Sequence, residues 1–359
     1  MKILIVTSIM FTVHVYASQE GTSLFGHPIV SRFGIAACPL TINSEDVRKM
    51  AERGFGVITY KTIRSGYMPI KSPNVYRVNV YEQLTREQIG SRVRIIDHES
   101  TDNDRALTNL YGIGSLSAQE TITDLKKAHA DIPEGKVLIV SIYGSGNTAQ
   151  EQIDDFVRTA RIAHEGGASI MELNLSCPNL SPAHSYGVTG AEPRQSAVRV
   201  GRPLYKDADL VYAVCDAVRH AVPCVNLIIK VSVFDSYEQM RAVMRAAYRA
   251  GVRGICGINT VPMCVVNADD EPVYGSDRVT SGLSGEPIRE LALEFTRHAR
   301  AIITEDSMDM VLLATGGVMS KQDYDAFIVA GADVVLCASA ALLGIPLSIS
   351  HQNRDELPY

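Results

Sequence analysis

The chain has 359 residues, of which 46% are hydrophobic and 21% charged, a balance that excludes a disordered chain, a collagen and a coiled coil. A net charge of −6, with no long block of like charge, argues against a general nucleic-acid surface. Trp is absent and aromatics make up only 6%, so the core must be built from Ala, Val, Ile and Leu, which suits buried parallel strands.

At the amino end, Met1-Lys2 precedes an apolar stretch from Ile3 to Val13 and a small residue, Ala17, which together imitate a secretory signal. The stretch is too short to cross a bilayer, which needs about 20 apolar residues. Residues 1–24 read as a leading strand or loosely packed extension, with a cleaved signal or membrane anchor as the alternative. The seven cysteines are Cys38, Cys177, Cys215, Cys224, Cys256, Cys264 and Cys337. They are odd in number, irregularly spaced and never in a C-x-x-C pair, which gives no support to a disulfide framework, a zinc site or an iron–sulfur cluster. A reducing, cytoplasmic compartment is expected.

From about residue 30 to residue 345, short β-branched runs alternate with amphipathic stretches. Strands are predicted at Gly56–Tyr60, Val137–Ile142, Ser169–Asn174, Asn226–Val231, Gly254–Ile258, Met310–Ala314 and Asp333–Cys337. Helices are predicted at Ser44–Arg53, Thr148–Glu165, Tyr237–Ala250 and Glu286–Ile302, several announced by capping residues such as Asn43 and Ser320. This alternation implies an α/β fold with a parallel sheet covered by helices, either an eightfold barrel or a doubly wound sheet. No G-x-G-x-x-G follows the first strand, which weakens the second option. Polar residues fall instead at the carboxyl ends of many strands: Lys61, Asn174, Lys230, Asn259 and Gly316-Gly317. Groups gathered from several strand ends around one mouth are the habit of the (β/α)8 barrel, so that fold is expected, as one domain over residues 25–359.

The segment Glu172-Leu-Asn-Leu-Ser-Cys-Pro-Asn179 carries the most chemistry. Two amides, Asn174 and Asn179, can frame a planar ring that bears amide groups, and the Cys177 thiol between them can transfer a proton. Taken alone, a cysteine in such a run is more often a small buried residue.

Asn174-Leu-Ser-Cys-Pro-Asn179 resembles the signature of the class 1 dihydroorotate dehydrogenases, and a similar strand and loop occur in the flavin domain of dihydropyrimidine dehydrogenases. The resemblance runs from about Phe25 to Leu347 as an ordered set of motifs. Phe33-Gly-Ile-Ala-Ala-Cys38 resembles the loop whose backbone, at Ala36 and Ala37, lies against the flavin. In Gly54–Thr62 the resemblance implies that Lys61 touches both flavin and substrate, with Thr62 beside the flavin. Asn109-Leu-Tyr-Gly-Ile113 resembles the segment in which an asparagine binds the substrate amide and backbone N–H groups at Tyr111, Gly112 and Ile113 hold its carboxylate. Lys230 matches the lysine at the flavin N1/O2 edge. Asn259 and Thr260 offer a further substrate amide and hydroxyl, and Asn109, Asn174 and Asn259 are also expected against the flavin. Gly285, Thr315, Gly316, Gly317, Ala338 and Ser339 resemble the loops that hold the FMN phosphate and ribityl chain.

Physical reasons stand beside each match. A fixed lysine stabilises the negative charge of a reduced flavin in a dry site. Backbone N–H groups in a Gly-rich turn before a helix bind phosphate. Four asparagines, Asn109, Asn174, Asn179 and Asn259, match the alternating carbonyl and N–H groups of an orotate ring.

The resemblance therefore implies a TIM barrel with FMN at the C-terminal mouth of the strands, oxidising (S)-dihydroorotate to orotate in pyrimidine biosynthesis. Cys177 would take the C5 proton while a hydride passes from C6 to flavin N5, and Lys61 would help hold the carboxylate. A homodimer is expected on the same basis, and the second electron acceptor stays open. Some features depart from the pattern: Tyr111 beside the carboxylate loop, and a long Leu180–Leu204 loop with Arg194, Arg199 and Arg202. Asn259-Thr260 and Phe33–Ala37 are closer to the dihydropyrimidine dehydrogenase pattern, although that enzyme usually has His where Asn179 stands. The rival readings are a flavin enzyme of uracil-like or other small unsaturated molecules, a tRNA-dihydrouridine synthase, for which the acidic charge is unsuited, and a non-catalytic barrel. Cys215, Cys224 and Cys264 read as packing, His220 carries no assignment, and His184 lies where it could border the pocket. A barrel needs about 250 residues, so residues 1–24, Thr85–Ala106, Leu180–Leu204 and Val261–Thr280 are surplus, and the last three are expected to set substrate choice.

Overall fold

The computed structural model describes residues 23–69, 75–96, 101, 104–110, 112–176, 203–275 and 279–347. Tyr111, Cys177, Asn179, His184, Arg194, Arg199 and Arg202 lie outside them.

Eight parallel strands close into a barrel in sequential order. They are β1 (Phe33–Ile35), β2 (Val57–Ile63), β3 (Val137–Ile142) and β4 (Ile170–Asn174), followed by β5 (Asn226–Lys230), β6 (Gly254–Gly257), β7 (Val311–Thr315) and β8 (Val334–Cys337). The helices that return the chain are α1 (Ser44–Glu52), α2 (Ala118–Asp131), α3 (Ala149–Glu165), α4 (Ala208–Ala221), α5 (Tyr237–Arg249), α6 (Arg289–Glu305) and α7 (Lys321–Val329), with a short α8 (Ser339–Leu342) after β8. The α/β barrel expected from the alternation is therefore the observed architecture.

The strands read as unbroken apolar runs because both faces are buried. Alternate residues turn to two separate cores. Inside the barrel, Val57, Ile139, Ile170, Ile228, Cys256, Leu313 and Leu336 pack together, and Leu24 from the hairpin Ser23–Leu24/His27–Pro28 joins them. On the outside, Ile58, Val140, Leu173, Ile229 and Val335 pack in a common cluster with helix residues such as Phe156 and Val243. Helix starts are fixed by their caps: the Asn43 side chain accepts from the Asp46 N–H, and Ser117/Glu120 and Thr148/Glu151 form capping boxes.

Several boundaries differ from the sequence expectation, each for a physical reason. β1 has only three residues, too few for a periodic signal, and takes its register from β8 and β2. The helix expected from Glu286 divides into a 3₁₀ turn at Glu286–Ile288, with Pro287 inside it, and α6 from Arg289. Two of the surplus segments are not plain loops. The insertions after β2 and β6 meet in a five-stranded sheet in the order Val75–Arg77, Ala106–Asn109, Thr280–Gly285, Val261–Val266, Arg92–Arg94. Cys215 is buried as expected for packing, but Cys224 is exposed, so the packing reading fails there. Among the described residues no helix is long and apolar enough to cross a membrane.

Two results are expected from urea unfolding. Phe156→Ala empties a fully buried position and should cost about 3–5 kcal/mol, whereas Val329→Ala, at a position 88% exposed, should stay within about 0.5 kcal/mol. Burial holds the His129 imidazole below its ordinary value of 6.5, and its Nε2 has no hydrogen-bond partner. Unfolding lets it take up a proton, so its stabilising share is complete above that value and declines as pH falls below it. The urea midpoint of the parent should therefore drop more steeply on the acid side than that of His129→Phe; parallel profiles would contradict this.

Candidate active site

The site begins with an irregularity in β2. Tyr60 pairs with Val140 and Ile63 with Ile142, so two residues, Lys61 and Thr62, stand opposite the single residue Ser141. Such a bulge breaks the strict in–out alternation. Thr62 thereby reaches Ser141, with Oγ1 and Oγ 2.9 Å apart. Lys61 thus lies inside β2 rather than at its end.

On β4 the period of two places Ile170, Glu172 and Asn174 on one face, and on β5 it does the same for Ile228 and Lys230. Ile170 and Ile228 belong to the apolar interior, so the interior turns polar within two residues along each strand. Glu172 and Lys230 are 1% and 5% exposed, with Nζ 3.8 Å from Oε2. Ser141 Oγ donates to Glu172 Oε1 at 2.8 Å. A hydroxyl has one proton, so Ser141 must accept from Thr62. Thr62 in turn accepts from Asn174 Nδ2 at 3.2 Å, and Asn174 Oδ1 accepts from Asn259 Nδ2 at 3.1 Å. The result is a one-way hydrogen-bond chain, Asn259 to Asn174 to Thr62 to Ser141 to Glu172, which starts beyond the end of β6 and ends on a buried carboxylate.

Side branches fix its upper end. Asn259 Nδ2 also donates to Ser176 Oγ at 3.2 Å, and Ser176 Oγ donates to the Lys230 carbonyl at 3.1 Å. Asn259 Oδ1 accepts from the Thr260 N–H at 2.8 Å. Burial pushes the Cys38 thiol up to about 11, against the opposing pull of Lys61 and Lys230, so this cysteine lies within the field of both cations. Burial likewise raises the Cys256 thiol, which is hydrogen-bonded to Glu172.

Asn109 ends a strand of the upper sheet and pairs with Gly282, against which the Thr260 side chain packs. Gly112 has φ +67°, and the buried Ile113 gives its carbonyl to Arg64 Nε at 3.0 Å. Ala36 is buried at the end of β1, and its N–H reaches the Cys337 carbonyl at 2.9 Å, with Ala37 half-buried beside it.

The expected phosphate loops converge at the ends of β7 and β8. Gly316 and Gly317 follow Thr315 with φ of +125° and +77°. A Cβ on Gly317 would lie 2.7 Å from the Arg289 Cβ, and the loop is held there by Asp323, which accepts from the Met319 N–H at 3.0 Å and from Arg289 Nη1 at 2.9 Å. Gly285, at φ +101°, caps the upper sheet, and Ser339 Oγ, next to Ala338, donates to Ser284 Oγ at 3.0 Å.

Sequence reasoning missed Glu172, Ser141, Ser176 and Cys38. The signal for Glu172 was present: it shares a face with Ile170 and Asn174, so an ionisable group had to sit inside the barrel. Among the described residues no group of three or more His, Cys, Asp or Glu side chains is placed to hold a metal.

A sequential parallel barrel with lysines, amides and glycine loops gathered at the carboxyl ends of its strands is an enzyme scaffold of the (β/α)8 class. The dihydroorotate dehydrogenase family model matches residues 86–355. The chain is 34% identical to the dihydroorotate dehydrogenase of Dictyostelium discoideum over 339 residues, 92% of this chain and 87% of that protein. It is 25% identical over 305 residues to the NAD-dependent dihydropyrimidine dehydrogenase subunit PreA of Escherichia coli (strain K12), covering 84% of this chain and 63% of that subunit. A third relative, the catalytic subunit of dihydroorotate dehydrogenase B (NAD(+)) of Methanocaldococcus jannaschii, is 27% identical over 237 residues, covering 64% of this chain and 65% of that subunit. The chain belongs to the dihydroorotate dehydrogenase family, a family of flavin-dependent oxidoreductases of CH–CH bonds.

Ser141→Ala removes the central link of the chain and deprives Glu172 of a donor. It is expected to cost about 1–3 kcal/mol in urea unfolding, the penalty for stranding buried polar groups; a neutral effect would show that the chain contributes nothing to stability.

Proposed function

We propose that the protein is an FMN-dependent dehydrogenase that oxidises (S)-dihydroorotate to orotate. The observation that carries this reading is the one-way chain from Asn259 through Asn174 to Glu172 in a member of this family, because it presents oriented amides beside Lys230 at the barrel mouth.

The residues fit a flavin mononucleotide. Positive φ at Gly285, Gly316 and Gly317, with little room for a side chain at each, gives loops whose backbone N–H groups can meet a phosphate, and Ser339 adds a hydroxyl. Thr315 and Ala338 flank these loops, and Ala36 and Ala37 offer backbone to the ring system. When bound, FMN supplies the acceptor for the hydride that leaves C6 of the substrate. Lys230 presents a fixed cation to the edge where negative charge develops on reduction, and its buried setting strengthens that interaction. Lys61 and the backbone at Gly112 and Ile113 hold the substrate carboxylate. Asn109, Asn174, Asn179 and Asn259 hold the ring carbonyl and N–H groups, and an analogue without those groups would leave the amides unpaired. Cys177 takes the proton from C5 as general base. We assign the protein to the cytoplasm as a homodimer, on the irregular cysteine inventory and on family resemblance.

A second reading, oxidation or reduction of a uracil-like ring, is favoured by the similarity to the dihydropyrimidine dehydrogenase subunit and by the Asn259-Thr260 pair.

Two variants test the assignment. Cys177→Ala is expected to retain FMN but to slow flavin bleaching by dihydroorotate about 10²–10⁴-fold in stopped flow; an unchanged rate would remove Cys177 as the base. Gly317→Val forces a branched side chain against Arg289 at a positive φ and should yield protein that loses its flavin on gel filtration.

A further inference from the structure

We infer that Glu172 is a positioning residue of the active site: its carboxylate anchors the Lys230 ammonium from below and, through Ser141, fixes the sense of the Ser141–Thr62 hydroxyl pair on which the Asn174 amide rests. The inference rests on the flavin reading only for what lies above Lys230.

The geometry gives Glu172 two tasks at once. Oε1 accepts a hydrogen bond from Ser141 Oγ at 2.8 Å, and Oε2 lies 3.8 Å from Lys230 Nζ. An ionised carboxylate can only accept, so Ser141 must point its proton at Glu172. Thr62 then donates to Ser141, in the same sense as the amide end of the chain, where the Thr260 N–H fixes Asn259 Oδ1, Asn259 Nδ2 donates to Asn174 Oδ1 and Asn174 Nδ2 donates to Thr62. An amide in place of the carboxylate can donate as well as accept, so the two hydroxyls lose their fixed acceptor while the Thr260 N–H still holds Asn259. Nothing in the proposed chemistry requires Glu172 to touch substrate, and at 1% exposure it lies below the residues that would.

The ion pair has the second consequence. A lysine 95% shielded from water favours its neutral form unless an anion stands near it. Among the described residues, Cys38 after β1 lies in the field of Lys230 and of Lys61, Cys256 from β6 meets both Glu172 and Lys230, and burial raises both thiols. The Glu172 carboxylate, 3.8 Å from Nζ, favours the charged ammonium in this buried setting. With glutamine there, Lys230 would gain a proton only when negative charge arrives above it, so reduction would draw in an extra proton.

The test measures the flavin midpoint potential against pH in the FMN-loaded protein and in Glu172→Gln and Glu172→Asp. The glutamine variant is expected to show a steeper slope, by up to one proton per two electrons, about 30 mV per pH unit, and the aspartate variant to restore most of the parent slope. Identical slopes and midpoints in parent and Glu172→Gln would overturn the inference. A second arm needs no flavin. In urea unfolding, Glu172→Gln and Lys230→Met each leave half of a buried pair, and the double variant is expected to recover much of the loss seen in either. Strictly additive losses would refute the anchoring role. A parent protein that never retains FMN would sink the flavin reading alone, because the urea arm still decides the pair.

Discussion

A charged pair inside a β-barrel is the constraint on which the mouth of this molecule depends. Glu172 and Lys230 lie one layer above Ile170 and Ile228, which belong to the buried apolar cluster of the interior. Taking either ion out of water alone would cost several kcal/mol, so each requires close partners. Those partners are strand residues: Ser141 on β3 and Cys256 on β6. The polar layer is therefore fixed by the same strand pairings that close the barrel, and the amides above it inherit that rigidity. Sites built on strands hold their geometry more tightly than sites built on loops.

The upper sheet extends this rigidity to the insertions. Asn109, expected to meet substrate, and Gly285, expected to meet the cofactor phosphate, lie in strands that pair directly, with Gly282 opposite Asn109 and Gly285 opposite Ala106. The sheet is fastened to the start of α6: the Leu84 N–H reaches the Pro287 carbonyl at 2.7 Å, Gln83 donates to the Glu286 carbonyl at 3.0 Å, and Arg86 pairs with Glu294 at 3.1 Å. A change in either insertion would thus be felt on both sides of the pocket. Length in excess of a bare barrel has become a five-stranded sheet built from the insertions after β2 and β6.

Much of this was legible in the chain. Seven strands, the caps at Asn43 and Ser320, and the strand-end position of Asn174, Lys230 and Gly316-Gly317 follow from local pattern, because fully buried strands and capped helices leave local signatures. The bulge at Lys61-Thr62 did not, since a bulge is a relation between β2 and β3 rather than a property of β2. The upper sheet was hidden for the same reason: its strands are short and come from segments more than 150 residues apart, as in the pairing of Leu107 with Ser284. Glu172 stood in plain view inside the most informative motif, yet its task emerges only when Ser141 and Lys230 are placed beside it. Cys177 and Asn179 lie outside the described residues, so their roles rest on the motif alone.

The central claim is that the oriented amides and Lys230 serve an orotate-type ring. It is tested most directly by anaerobic titration of the flavin-loaded protein with dihydroorotate and, separately, with 5,6-dihydrouracil, following flavin absorbance. The account predicts full bleaching by dihydroorotate at near-stoichiometric addition and little or none by dihydrouracil, which lacks the carboxylate that Lys61 and the Gly112–Ile113 backbone would hold. Bleaching by dihydrouracil with dihydroorotate inert would contradict it and assign the site to the uracil-type chemistry.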